Sequence, residues 1–268
     1  MKRRMSVGIT ILLLSLFITS FAGAQYSNPW WTSYQVVNMG DSPADITVDY
    51  YDSSGSVQAA AQKTFTDVPV GGSQLVVQYT DDPDLGSGRY SAVISADQPI
   101  AAITNQEIAA AGQAQYSPEP PFSTYSGQSE GAREITLPAV MHNWYGYYTD
   151  IYIMNVGGGE ATDVDITYIP GEMDVGSGLE PTGASGVDDL DNTIPQFASL
   201  QESQENMSQL GAPSGSFEDR FLGSAVITAD QPIVAVVNQH NVGDYKLLTY
   251  NGFSSGTTEI AGPSYMRG

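Results

Sequence analysis

The sequence has no cysteine, so a disulfide framework, a thiolate metal site and a cysteine nucleophile are all closed to it. Histidine is almost as scarce. His142 and His240 are the only two, they stand at unrelated places, and no H-x-x-x-H or H-E-x-x-H pairing predicts a zinc or redox-metal site. Both are expected at a surface or an interface. Positive charge is sparse too, with nine Lys and Arg against thirty Asp and Glu and a formal net charge of -21. Such a polyanion gains nothing from counterion release on a phosphate backbone and is repelled by anionic lipid, which argues against nucleic-acid and membrane-surface partners. No apolar run reaches the roughly 20 residues that span a bilayer, and none shows a helical apolar period.

The longest apolar run, about Val7 to Phe21, follows Lys2, Arg3 and Arg4 and ends at Ala22-Gly23-Ala24. A basic start, a short apolar stretch and an A-x-A site are the signature of a cleaved export signal, predicted here over residues 1–24. The mature chain is expected to begin at Gln25, secreted to the cell surface and without a membrane span. Losing the leader leaves six basic residues against thirty acidic ones. With no disulfide to hold it, the exported chain must rely on an ordinary hydrophobic core.

Self-similarity is the strongest signal. Ser91 to Gln106 reads SAVISADQPIAAITNQ and Ser224 to Gln239 reads SAVITADQPIVAVVNQ, alike at all but four of sixteen positions. Further blocks keep the same order. Asn38, Gly40, Ala44 and Tyr50 match Asn155, Gly157, Ala161 and Tyr168, while Val68, Pro69 and Ser73 match Ile194, Pro195 and Ser199. Tyr125, Gly127, Gly131, Glu134, Ile135, Pro138 and Met141 match Tyr250, Gly252, Gly256, Glu259, Ile260, Pro263 and Met266. Two repeats follow, 25–141 and 142–268. The unshared stretches, 107–124 and the acidic Gly-rich 171–193, are expected as surface loops.

Within the blocks apolar residues alternate with polar ones, as in Ile46-Val48-Tyr50 and Val164-Ile166-Tyr168, the pattern of half-buried strands. The runs on either side of Asp97-Gln98-Pro99 read as two central strands joined by a tight turn, and Asn38-Met39-Gly40 as a strand end tolerant of positive φ. Short strands punctuated by Gly and Pro predict an all-β fold, two tandem antiparallel β-sandwich domains. The N-x-G turn followed by Ala and an alternating V-x-V-x-Y strand resembles the Ig-like β-sandwich repeats of bacterial surface and adhesin-type proteins. That resemblance implies an extracellular stalk, coat or attachment role; the chain as a whole is read as a non-enzymatic structural or adhesive protein, able to form a filament.

Five sets of residues are candidates for chemistry or binding. Asp81, Asp82 and Asp84, with Asp188, Asp189 and Asp191, offer hard oxygen ligands suited to Ca²⁺, against the plainer reading of solvated acidic loops. Trp30, Trp31, Trp144 and Tyr145 would stack on sugar rings if exposed, making the chain a pair of carbohydrate-binding modules for a cell-surface polysaccharide; turned inward they are packing. Gly127-Gln128-Ser129-Glu130-Gly131 and Gly252-Phe253-Ser254-Ser255-Gly256 fit the G-x-S-x-G spacing of a nucleophile elbow, yet short strands follow them and no His follows Ser254, so Gly-Ser turns are expected. The Asp-Gln-Pro corners and the Asn-Gln pairs are read as caps of turns and strand ends.

The last set is the block Glu259 to Met266, with Ile260 and Pro263. If its counterpart, Glu134 to Met141, packs backward, the chain is a closed two-domain molecule. If it packs forward, it completes the second repeat, and Glu259 to Met266 is free to complete the first repeat of another copy, giving a head-to-tail homopolymer.

Overall fold

Alternation decides which face of each strand is buried. Strand β2 (Ala44–Tyr51) sinks Ala44, Ile46, Val48 and Tyr50 into the interior, and β10 (Val164–Pro170) does the same with Val164, Ile166 and Tyr168. The computed structural model describes residues 30–108, 122–171, 186–190, 193–206, 220–241 and 246–258. Over these the chain is all-β, and its sheets are antiparallel. No helix among the described residues is long and apolar enough to cross a membrane.

In the N-terminal half, β1 (Trp30–Asn38), β4 (Ser73–Val77), β6 (Ile100–Ile108) and β7 (Phe122–Ser126) form one sheet in the order β4-β1-β6-β7. A second sheet, β3-β2-β5, is built from β3 (Lys63–Val68), β2 and β5 (Ser91–Ala96). Tyr34 and Val36 of β1 meet Ile46, Val48 and Tyr50 of β2 in the core between the sheets. The C-terminal half repeats the plan with β9 (Tyr148–Asn155), β10, β11 (Gly186–Leu190), β12 (Ser199–Ser203), β13 (Phe221–Asn241) and β14 (Lys246–Asn251). Registers repeat as well. Tyr125 of β7 stands opposite Thr104, and Tyr250 of β14 stands opposite Val237.

The Asp-Gln-Pro segment is not the expected tight turn between paired strands. β5 and β6 lie in different sheets, and β13 passes through the corner as one strand, pairing with β10 before it and β9 after it. The corner's aspartate does cap a neighbour. Asp97 Oδ1 accepts from the Asp45 N–H at 2.8 Å, and Asp230 accepts from the Thr162 N–H and Oγ1, both at 3.0 Å. Gly40 and Gly157 are needed for closeness rather than positive φ, because a Cβ on either would lie 2.6 Å from Oε1 of Gln98 or Gln231. The acidic insertion also differs from a pure loop. Its residues Gly186–Leu190 form β11 against β10, occupying the place of β3.

Candidate functional site

Strand β8 (Ala132–His142) decides the organisation of the molecule. It pairs with the first half of β13, setting Thr136 opposite Val226 and Ile135 opposite Ile227. Ile135, Leu137 and Val140 are buried in the C-terminal core. The strand therefore packs forward, and the half boundary falls at the Gly127–Gly131 connection instead of at 141/142. Pro138 and Ala139 together oppose Ser224, a bulge that tolerates the N–H Pro138 lacks. The bulge leaves the Ala139 carbonyl facing inward, where Gln239 Nε2 donates to it at 2.8 Å and the Tyr250 hydroxyl at 2.5 Å. On its other edge Thr136 exchanges both backbone hydrogen bonds with Phe253, at 2.8 and 2.9 Å. Close approach there requires Gly252, since a Cβ would meet Ile135 Cγ2 at 2.3 Å.

The N-terminal half has the same slot with an open edge. β5 pairs with β2 on one side, and among the described residues no strand pairs with the other. Burial records the difference: Ala225 and Ile227 of β13 are fully buried, whereas the matching Ala92 is exposed and Ile94 half-buried. Gln106, the counterpart of Gln239, holds its Oε1 buried with no hydrogen-bond partner among the described residues. Gly127, the counterpart of Gly252, has room instead: the nearest atom to an added Cβ is Ala102 Cβ at 3.5 Å.

Two buried polar networks occupy the cores. In the N-terminal half the Tyr34 and Tyr50 hydroxyls lie 3.0 Å apart, Tyr50 donates to Asp82 Oδ2 at 2.7 Å, and Lys63 Nζ stands 2.6 Å from Asp82 Oδ1. Burial, with the nearby Asp82 charge, pushes Tyr50 far above the ordinary phenol range and Tyr34 up to about 12, in Tyr34 against the lowering effect of its bond to Tyr50. In the C-terminal half His240 Nε2 lies 3.3 Å from Asp150 Oδ2, and the Tyr148 ring lies between the rings of His240 and His142. His142 Nδ1 meets the Gln204 carbonyl, and Gln204 Nε2 donates to Tyr168 at 2.7 Å. The two histidines, expected at a surface or an interface, thus converge and are buried rather than lying at the surface. The hydrogen bond to Asp150 raises His240 against the opposing effect of burial. Burial works to raise Asp150, but bonds from His240 and Ser203 outweigh it and hold the carboxyl below the usual range.

The expected carboxylate cluster is divided among separate tasks. Asp82 belongs to the buried Tyr-Lys network, Asp81 accepts from the Val77 N–H at 2.8 Å, and Asp84 is exposed. Asp188 and Asp189 lie on β11, opposite Ile166 and Asp165; Asp191 falls outside the described residues. No group of three or more His, Asp or Glu poised for a metal occurs among the described residues. The aromatic candidates are also apart. Trp30 and Trp31 open β1 opposite Ile108 and Glu107, whereas Trp144 and Tyr145 form a hairpin tip, their rings edge to face at 5.3 Å with Arg220 over Tyr145 at 5.3 Å. Asn143, Tyr145 and Gly146 all have positive φ there, so the tip, with Tyr145 exposed and Trp144 half-buried, is built on a strained turn. Both G-x-S-x-G stretches flank the slots, Gly127–Gly131 leading into β8 and Gly252 and Phe253 lining it. The assembly residues Glu259, Ile260, Pro263 and Met266 lie outside the described residues.

Sequence reading missed Gln106, Gln239 and Gly252 as parts of a strand-receiving slot. The signal was present in the repeat, which keeps Gln and Gly at both places. No protein-family model and no curated protein matches the chain. A crystal structure of Thermotoga maritima 1070 is similar over 46% of this chain and 94% of its own, at 19% identity with a TM-score of 0.32.

Proposed function

We propose that the chain is an exported, non-enzymatic structural protein of two tandem Ig-like β-sandwich repeats, assembling at the cell surface by strand addition into a fibre, coat or adhesive layer. The observation that supports this reading is β8: the chain completes one sandwich with a strand delivered from the other and, among the described residues, leaves a like edge open. An open strand edge is a template for another chain unless it is protected. The export signal at 1–24 and the acidic, cysteine-free composition suit an extracellular setting. Calcium bridging acidic surfaces at the junctions is part of the proposal.

The experiment is light scattering with negative-stain microscopy on residues 25–268, with calcium and with a chelator. Polymers are expected, and their loss with chelator would place cations at the junctions; a monomer in both conditions refutes assembly. A second reading, a polysaccharide-binding pair, draws on the Trp144-Tyr145 tip, where Tyr145 is exposed and Trp144 half-buried. Tyr and Trp rings stack on sugars, so quenching of Trp144 emission by cell-surface polysaccharide would favour it.

A further inference from the structure

Resting on the assembly reading, we infer that the open edge of β5 receives residues Glu259 to Met266 of a second copy, in the register that β8 adopts on β13. The chain carries its own template. Because Ser91–Gln106 matches Ser224–Gln239 and Glu134–Met141 matches Glu259–Met266, the β8 pairing transfers residue by residue. Glu259 falls opposite Ser95, Ile260 opposite Ile94, Ala261 opposite Val93 and Gly262 opposite Ala92. Pro263 and Ser264 form the bulge opposite Ser91, and Tyr265 falls opposite Tyr90.

Three features of the N-terminal half fit this strand. Ile260 enters the space beside Gly127, where a Cβ would find nothing nearer than 3.5 Å, as Ile135 sits against Gly252. The bulge carbonyl of Ser264 comes to Gln106 and Tyr125, the counterparts of the pair that holds Ala139, and accepts from Gln106 Nε2 and the Tyr125 hydroxyl as Ala139 accepts from Gln239 Nε2 and the Tyr250 hydroxyl. Large and small residues exchange places. Where the C-terminal half sets Gly223 opposite Val140 and admits Leu137, the N-terminal half has Tyr90, packed on its own core, and the incoming strand has Gly262.

Position in the chain explains the open edge. The residues that precede β1 as β8 precedes β9 are Ser15 to Gln25, and all but Gln25 belong to the expected leader. Export therefore removes the segment that stands where a strand lent from within the chain would begin.

The flanks argue for a second copy. Inside the chain the lending half also covers the receiving sheet: Arg89 lies 5.4 Å over the Tyr152 ring, and Tyr51 lies 4.9 Å from Phe197. The matching face of the N-terminal half is uncovered, with Val70, Leu75 and Ile103 exposed, and the matching flank of the C-terminal half exposes Ile169. Such a contact is head to tail and leaves complementary faces free at the two ends.

The test exploits the absence of cysteine. Thr136 gives its backbone bonds to Phe253, so it faces Val226 as a non-hydrogen-bonded pair with close Cα atoms, and Val93 with Ala261 inherits that geometry. Full-length mature chains carrying Val93→Cys are mixed with chains carrying Ala261→Cys and oxidised mildly. Covalent dimers are expected from the mixture and from neither variant alone, with Ile260→Cys giving several-fold less because its side chain faces inward. Truncation after Thr258 is expected to abolish both dimers and polymers. An internally cross-linked monomer from the double variant, with no dimer from the mixture, overturns the second copy in favour of closure within one chain. Polymers that form without the 93–261 cross-link, or survive truncation, overturn this register and leave the assembly reading standing. Unmodified protein that stays monomeric overturns both.

Discussion

At the residue scale, the positions the repeat preserves are mostly those where backbone and side chain must fit at contact distance. Asn155 donates from Nδ2 to the carbonyls of Gly159 and Ile194, at 2.7 and 2.8 Å, and accepts from Gly157 N–H at 2.9 Å; Asn38 makes the same set. Replacing Asn155 with Ala strands those buried groups and is expected to cost about 1–3 kcal/mol per unsatisfied group, measured by urea denaturation. Glycine gives a sharper contrast. Gly252→Ala drives a methyl into Ile135 and is expected to destabilise by about 1–3 kcal/mol. Gly127→Ala has room in the single chain and is expected to leave denaturation midpoints unchanged, while in the proposed register its methyl would take the place of Ile260 and block polymer growth.

At the element scale, the question is which half owns β8. Leu137 is fully buried in the C-terminal core although it precedes every other strand of that half. Leu137→Ala should therefore lower the stability of the C-terminal half by about 2–5 kcal/mol. Trp144 emission, followed in a chain carrying Trp30→Phe and Trp31→Phe, reads that half alone, and an unchanged Trp144 transition would contradict the packing. The His240–Asp150 pair ties β13 to β9. His240 is raised on folding, so its contribution is complete below the ordinary histidine pKa of ~6.5 and is lost as pH rises through the raised value. Asp150 is lowered, so its contribution is present above the ordinary carboxylate value of ~4 and is lost as pH falls through the lowered one. The stability gap between the native protein and His240→Gln, followed by calorimetry, should be largest between about pH 4 and 6.5 and shrink as pH rises above that window.

At the scale of the whole molecule, the excess of thirty acidic over six basic residues in the expected mature chain opposes the approach of one copy to another. Screening by salt shortens that repulsion to about 10 Å at 0.1 M. Polymer growth should accelerate several-fold between ~0.01 and ~0.15 M sodium chloride, read by the lag in light scattering. Magnesium or calcium at equal ionic strength should act more strongly only if carboxylates are bridged at the junctions.

Much of this architecture was legible in the residues themselves. Alternation along Ala44–Tyr51 and Val164–Pro170 fixes strands and their inner faces, because the side-chain period of a strand is two. The repeat fixes that two equivalent sets of strands exist. Sequence alone left open whether Glu134–Met141 closes its own half or the next, since an edge strand presents the same apolar face to either partner. Tertiary structure decided it through the bulge at Pro138 and the bonds that Gln239, Tyr250 and Phe253 make to β8. It likewise brought His142 and His240 together from positions with no sequence relationship, because β8 and the far end of β9 and β13 meet only once β8 crosses into the second half. Local periodicity sets elements; which edge each one fills is a long-range choice, made by the groups left unpaired until the strand arrives.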